Sequence, residues 1–340
     1  MSRVITQHEN PPCPACHARD TIKRGKRRNR LQLLQIFQCI ECEHRFTGAP
    51  GKHKTYPLRI ILEAVSIFNL GFSLSETQRI MRRKAQTDIP ERTIRSWVSE
   101  FKSITPYARM RNAGKKLFEP QTIVRSITFE HQQVYRFQFH QAKLELLFTS
   151  PAHQHLTPLR AYLGHVQSHF PHHLFQSTEH RSSNFPTELQ PPITRKENHA
   201  TQLSRLVLPI SPSNKKRHET LQRFMIANDS VTVAVEIPVY LTQGDIAYYR
   251  ERGFTLNFNS AVITGHIDFL QIRNGFVHLL DYKPEARKEK HAHVQLTIYA
   301  LALSRRCNLP LKSFKCAWFD EKDYFEFYPL QGVYWPRPKS

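Results

Sequence analysis

The residues best suited to chemistry lie between Gly265 and Leu303, in GHIDFLQIRNGFVHLLDYKPEARKEKHAHVQLTIYALAL. Asp281 and Lys283 stand two apart, so on a strand both project from one face. Asp268 lies towards the end of the strand-like run AVITGHIDFLQI, and Arg273-Asn274-Gly275 reads as the turn of a hairpin. Asp268 and Asp281 then meet across that hairpin. Two carboxylates so placed hold a hard divalent cation, normally Mg2+. Such a cation polarises a phosphate and lowers the pKa of a bound water. A neighbouring lysine stabilises developing negative charge or orients the water. The set is that of phosphodiester hydrolysis. After a polar loop, VQLTIYALALSRR reads as a helix with Gln295 and Tyr299 four apart on one face.

A second constellation is Cys13-x2-Cys16, twenty-two residues, then Cys39-x2-Cys42. Two close thiolate pairs complete a tetrahedron around zinc, and four cysteines leave no position for a catalytic water. The expected ion is structural Zn2+, supplying much of the folding energy of a segment too short for a sizeable core. His17 and His44 lie beside the knuckles and are expected outside the ligand set. Between the pairs, Lys23, Arg24, Lys26, Arg27, Arg28 and Arg30 crowd what reads as a loop suited to phosphate contacts; plain solubility is the alternative.

These sites need elements to carry them. Leu58, Ile61, Leu62, Val65 and Phe68 recur at helical spacing, and Gly71 breaks the run. Ser73 with Glu76 forms a capping box for a second helix, and Asp88 with Glu91, Pro90 between, opens a third. There Ile94, Trp97, Val98 and Phe101 make an apolar face, leaving Arg92, Thr93, Arg95 and Ser96 on the other side, as in a recognition helix that reads a major groove. A plain three-helix bundle is the bland reading.

Composition bounds the rest. The formal net charge is +21, and residues 1–119 hold 23 Lys+Arg against 10 Asp+Glu. That surplus attracts a polyanion, with DNA the expected partner. No apolar run approaches the roughly 18 residues of a membrane span, and no secretory leader is evident, so no membrane partner and a cytoplasmic location are expected. Residues 104–175 carry many His and Phe, with Val134, Phe137, Leu144 and Leu147 at helix-like spacing. They read as a helical spacer with His131, His140, His169, His172 and His173 and no evident ligand set.

Two resemblances follow. Over residues 10–103, the ribbon ending in FQCIECEHRFT and the helices through RTIRSW resemble the DNA-binding front end of insertion-sequence transposases. An RNase H-like domain would follow in those proteins; here the chain departs from that pattern. Over residues 205–330, GHIDFL, DYK and QLTIYALAL resemble the PD-(D/E)XK nuclease superfamily in its RecB-like branch. This resemblance implies that His218 in HETLQRF is a metal ligand, with Glu219 as the fallback. It also implies that Glu236 in EIPV supports the site, that the carbonyl of Tyr282 binds the metal, and that Gln295 and Tyr299 sit near the lysine or the DNA backbone. Some relatives hold an iron–sulfur cluster on four cysteines; Cys307 and Cys316 alone cannot.

The expected architecture is therefore multidomain. Residues 1–50 form a zinc ribbon, 51–103 an all-α helix-turn-helix, 104–175 a helical spacer and 176–200 a linker. Residues 201–340 form an α/β restriction-endonuclease-like domain with a central mixed sheet. The expected activity is a DNA endonuclease using Mg2+ or Mn2+. The alternatives are a non-catalytic DNA-binding protein and a mobile-element component cutting beside a partner recombinase. Cutting both strands would call for a homodimer, although no dimer seam is visible.

Overall fold

The computed structural model describes residues 10–28, 33–47, 55–176, 182, 189–257 and 260–334. The first module is an antiparallel sheet of β1 (Thr21–Arg28), β2 (Leu33–Cys39) and β3 (Arg45–Thr47), in that order. The basic residues expected in a loop stand on β1 instead. Lys23, Arg24, Lys26 and Arg27 are exposed there, with a register shift between Lys23 and Lys26 around Gly25 at φ 94°. Alternating Arg and Lys make a strand when the facing strand, here β2, supplies the apolar pairing. Arg28 ends the strand, and Arg30 falls outside the described residues.

Three helices follow: α1 (Leu58–Asn69), α2 (Leu74–Ala85) and α3 (Glu91–Phe101). Ile61, Val65, Met81, Ile94 and Trp97 form their core. Ser73 caps α2 reciprocally with Glu76, as its spacing predicts. The box expected at Asp88 does not form, because Asp88 accepts from Arg82 and Gln78 and Pro90 opens α3 without a side-chain cap.

The remaining chain builds one eight-stranded sheet. α4 (Arg111–Leu117) leads into the hairpin β4 (Val124–His131) and β5 (Gln133–His140), then α5 (Gln141–Phe148) and α6 (Pro158–Ser168). The helical spacer expected over residues 104–175 is thus partly strand. Val134 and Phe137 lie on β5, where Phe137 is buried and Val134 is exposed; Leu144 and Leu147 do lie on a helix. Alternation of Tyr135, Phe137 and Phe139 was the strand signal that helix-like spacing masked. Next come β6 (Thr194–Lys196), α7 (His199–Val207), α8 (Arg217–Asn228), β7 (Thr232–Thr242), α9 (Gln243–Glu251), β8 (Val262–Arg273), β9 (Phe276–Tyr282), α10 (Ala292–Cys307), β10 (Phe314–Phe319), β11 (Tyr324–Phe327) and α11 (Pro329–Val333). The sheet order is β4-β5-β7-β8-β9-β10-β11-β6. Only β9 and β10 run parallel, joined across the sheet by α10; the other pairs are antiparallel, so the sheet is mixed, as expected.

One face packs under α6 and α10, with Leu159, Leu163, Leu296 and Leu303 against Ile263, Ile267 and Leu279. The other packs under α7 and α8, with Leu203, Leu221 and Phe224 against Phe269, Leu280 and Phe319. The three-helix module rests on this second layer. Leu58 and Leu62 of α1 share a core with Leu221, Phe224 and Met225 of α8. Asn69 Nδ2 donates to Asn228 Oδ1 (2.8 Å), and Asn228 Nδ2 donates to Ser66 Oγ (2.8 Å). Arg223 pairs with Glu63. A buried leucine contributes roughly 2 kcal/mol, whereas an exposed ion pair contributes about 0–1 kcal/mol, so the apolar contact dominates this docking. Arg111 adds a clamp, donating to the carbonyls of Phe68 (2.6 Å) and Phe72 (2.7 Å) at the end of α1. Among the described residues no helix is long and apolar enough to cross a membrane.

Candidate active site and structural metal centre

The β8–β9 hairpin turns at Asn274 and Gly275, both with positive φ, and pairs from Arg273↔Phe276 to Phe269↔Leu280. Asp268 and Asp281 lie one step past that last pair. Strand alternation breaks on β8 at Asp268, since Ile267 joins the α10-side core and Phe269 the α8-side core. The same break occurs on β7, where Val235 and Ile237 face opposite cores and Glu236 between them has φ 53°. Two carboxylates therefore sit at the boundary of the layers, committed to neither apolar core.

Around them the side chains converge. His218, at the start of α8, contacts Asp268 Oδ2 through Nδ1 at 3.0 Å, and the Tyr282 amide donates to the same oxygen at 3.0 Å. Asp281 Oδ2 is 2.8 Å from Lys283 Nζ. Lys283 Nζ donates to Gln295 Oε1 (3.1 Å), Gln295 Nε2 donates to Tyr299 Oη (2.8 Å), and Ser182 Oγ donates to Tyr299 Oη (3.1 Å). Gln222 Nε2 donates to Glu236 Oε1 (2.7 Å). Glu219, the fallback for His218, lines a separate groove against the three-helix module. The side chain of Tyr282 is buried among the α8-side residues.

Glycine in G-x-x-D has a local reason. A Cβ on Gly265 would stand 2.1 Å from Tyr299 Cε1. The backbone of β8 is bare there so that the Tyr299 ring can lie on it, which joins the two sequence signals physically.

Charge crowding shapes the titration. Burial, then repulsion from Asp268, pushes the Asp281 carboxyl up to about 8. Burial, then Asp268, pushes Glu236 up to about 7. Asp268 moves the other way: burial opposes ionisation, but the His218 hydrogen bond and charge outweigh it. His218 is raised because its contact with Asp268 outweighs burial. Lys283 is likewise raised, burial being outweighed by Asp281, so it is an ammonium at neutral pH. Three crowded carboxylates and an imidazole, two of the acids raised by burial and then by Asp268, are a donor set that a divalent cation would neutralise.

Sequence reading undervalued Glu236, named there only as a support. It missed His266, although His266 stands two residues before Asp268 on one strand. It also missed Tyr135 and Ser182, which come from distant segments.

The second centre is the cysteine cluster. Cys13 Sγ lies 3.5 Å from Cys42 Sγ, Cys16 Sγ lies 3.5 Å from Cys39 Sγ, and all four sulfurs fall within 4.8 Å of one another. Tetrahedral Zn–S bonds of about 2.3 Å place sulfurs roughly 3.8 Å apart, so the cage fits zinc. Both knuckles fold alike. Cys13 N donates to Ala18 O (2.8 Å) and Cys39 N to His44 O (3.0 Å), while His17 and Glu43 take positive φ.

The mixed sheet, the diverging hairpin and the acid–lysine cluster define a restriction-endonuclease-like fold. Residues 138–326 match the PD-(D/E)XK nuclease superfamily. That is more than half of the chain, and the chain belongs to this superfamily. No curated protein and no solved structure matches it.

Proposed function

We propose that the protein is a metal-dependent DNA endonuclease, held on DNA by its N-terminal zinc ribbon and a helix-turn-helix. The observation that carries this is the convergence of Asp268, Asp281 and Lys283, with His218 and Glu236, where β8 and β9 part. His218, Glu236, Asp268, Asp281 and the carbonyl of Tyr282 would hold Mg2+ or Mn2+. Once bound, such a cation polarises the scissile phosphate and lowers the pKa of an attacking water. Lys283, protonated beside Asp281, supplies positive charge where the phosphate gains negative charge. Gln295 fixes the ammonium direction, and Tyr299 with Ser182 fixes Gln295. The RecB-like order of glycine, acids, lysine, glutamine and tyrosine supports the branch assignment.

The targeting half rests on charge and exposure. Lys23, Arg24, Lys26 and Arg27 on β1, and Arg92, Arg95 and Ser96 on α3, face solvent, with Thr93 half-buried beside them. Phosphate contacts of this kind position a protein on DNA.

The test is plasmid cleavage with Mg2+, with Mn2+ and with EDTA. Wild type should cut with metal. Lys283→Ala should lose about 10²–10³ in rate, and Asp281→Ala should be inactive. Equal cutting by both variants would refute the assigned site; binding without cleavage under either metal would favour a DNA-binding role alone.

A further inference from the structure

The carboxylates do not close off the site. A cavity of about 330 Å³ runs on from His218, Glu236 and Asp268 to a far wall of a different character. That wall comes from the β4–β5 hairpin tip (His131, Gln133, Tyr135), from Phe175, and from His266 on β8. Three of these five residues precede residue 138, where the superfamily match begins.

Its chemistry is flat and aromatic. The Tyr135 and His266 rings stack at 3.6 Å with 6° between their planes, and the His131 ring stacks on Phe175 at 4.2 Å. His131 is fixed by contacts at 2.9 Å to His266 and at 2.9 Å to His172. Its burial, then the neighbouring His172, lowers its pKa to about 4, so this part of the wall is neutral. Gln133, exposed beside these rings, adds an amide with donor and acceptor. Among the described residues no lysine or arginine lines the cavity. A backbone phosphate would find no lysine or arginine among these described residues. A nucleobase, with π faces and a hydrogen-bonding edge, would find both kinds of partner. The volume lies at the lower end of the roughly 300–1,000 Å³ of small-ligand sites.

The fold holds this wall open beside the metal-binding end. Pairing of β5 with β7 is confined to Gln138↔Val235 and Phe139↔Ala234. It stops at the left-handed Glu236, and Pro238 beyond has no N–H to extend a ladder. β5 thus leaves β7 where the carboxylates begin, and the cavity lies there between the β4–β5 hairpin tip, Glu236 and β8.

We propose that this cavity is a nucleoside subsite: it takes the unstacked base and sugar next to the phosphate that is cut, with Tyr135, His131 and Gln133 as its wall. This rests on the nuclease reading above. The protein would then need a frayed, flipped or single-stranded nucleotide at the cut, because a base stacked within a duplex cannot enter.

Two measurements on the full chain test it. In the first, short single-stranded oligonucleotides carry one 2-aminopurine, moved position by position, and are bound in Ca2+ without cleavage. One position should show a fluorescence change absent from its neighbours. Tyr135→Leu and Gln133→Ala should abolish that change while circular dichroism stays that of wild type. In the second, an abasic nucleotide at the same position should weaken binding by roughly tenfold, the scale of one stacked base, and Tyr135→Leu should be insensitive to it. A uniform 2-aminopurine response, or abasic substitution without effect at every position, overturns the subsite. Absence of cleavage by wild type in Mg2+ would instead count against the nuclease reading, and the Ca2+ binding arm would still decide the subsite.

Discussion

Gly265→Ala should damage the protein through Tyr299, because the conflict is internal to the fold. The new methyl would meet Tyr299 Cε1 at 2.1 Å, and Cζ and Oη at 2.6 Å; ordinary contact begins at 3.4 Å, so the ring must move about 1.3 Å. Tyr299 is buried, and its hydroxyl holds Gln295 and Ser182. Overpacking of this kind costs about 1–3 kcal/mol, and each lost hydrogen bond adds about 1 kcal/mol. With both hydrogen bonds lost the expected total is about 3–5 kcal/mol. Thermal or urea unfolding of wild type, Gly265→Ala, Tyr299→Leu and the double variant measures it. Shortening the side chain at 299 makes room for the methyl, so the double variant should be more stable than the sum of the singles implies. Cleavage by Gly265→Ala should fall as well, since Gln295 loses the group that aims it at Lys283. Strict additivity, or an alanine variant as stable and active as wild type, would refute the account of this glycine.

Other outcomes follow from the same geometry. In EDTA the raised carboxyls of Asp281 and Glu236 bind protons more tightly folded than unfolded, so their contribution to stability falls as pH rises from about 4.5 to about 8. The wild type should lose melting temperature across that window relative to Glu236→Gln, and Mg2+ should reverse the loss at pH 8; a constant difference between the two proteins would contradict this. Cys16→Ser should release zinc, read by a colorimetric chelator, and unfold the ribbon, because structural zinc supplies about 10–16 kcal/mol in small fingers; retained stoichiometric zinc would count against the cage. Arg92→Ala and Arg95→Ala should weaken DNA binding, each lowering the salt slope by about one if it contacts a phosphate; an unchanged slope would remove α3 from the interface.

The parts of the fold that could be read from sequence are those governed by local rules. The hairpin at Asn274-Gly275, the Ser73–Glu76 cap and the paired thiolates each depend on a few adjacent residues. Asp268, Asp281 and Lys283 were legible because strand alternation and one turn fix their relation. Glu236 was harder, since its direction depends on a left-handed residue inside a strand, for which glutamate carries no signal. The strands β4 and β5 were misjudged because Val134, Phe137, Leu144 and Leu147 fit a helical period while straddling the true strand-to-helix junction at His140. The wall formed by Tyr135 and His266 could not be found locally at all, since it exists only once β5 is laid beside β7.

The strands that flank the sheet come from earlier in the chain than its centre. β4 and β5 cover the side of β7, and β6 covers the side of β11. A shortened chain beginning at residue 201 would retain every acidic and basic side chain of the candidate site. It would also expose the long, apolar β7 and the aromatic β11 as bare edges, each presenting unsatisfied N–H and C=O groups to its neighbours. Such edges invite strand addition between molecules. Attempts to isolate the catalytic half by cutting there should therefore yield aggregates, and shortening should instead begin upstream of Val124.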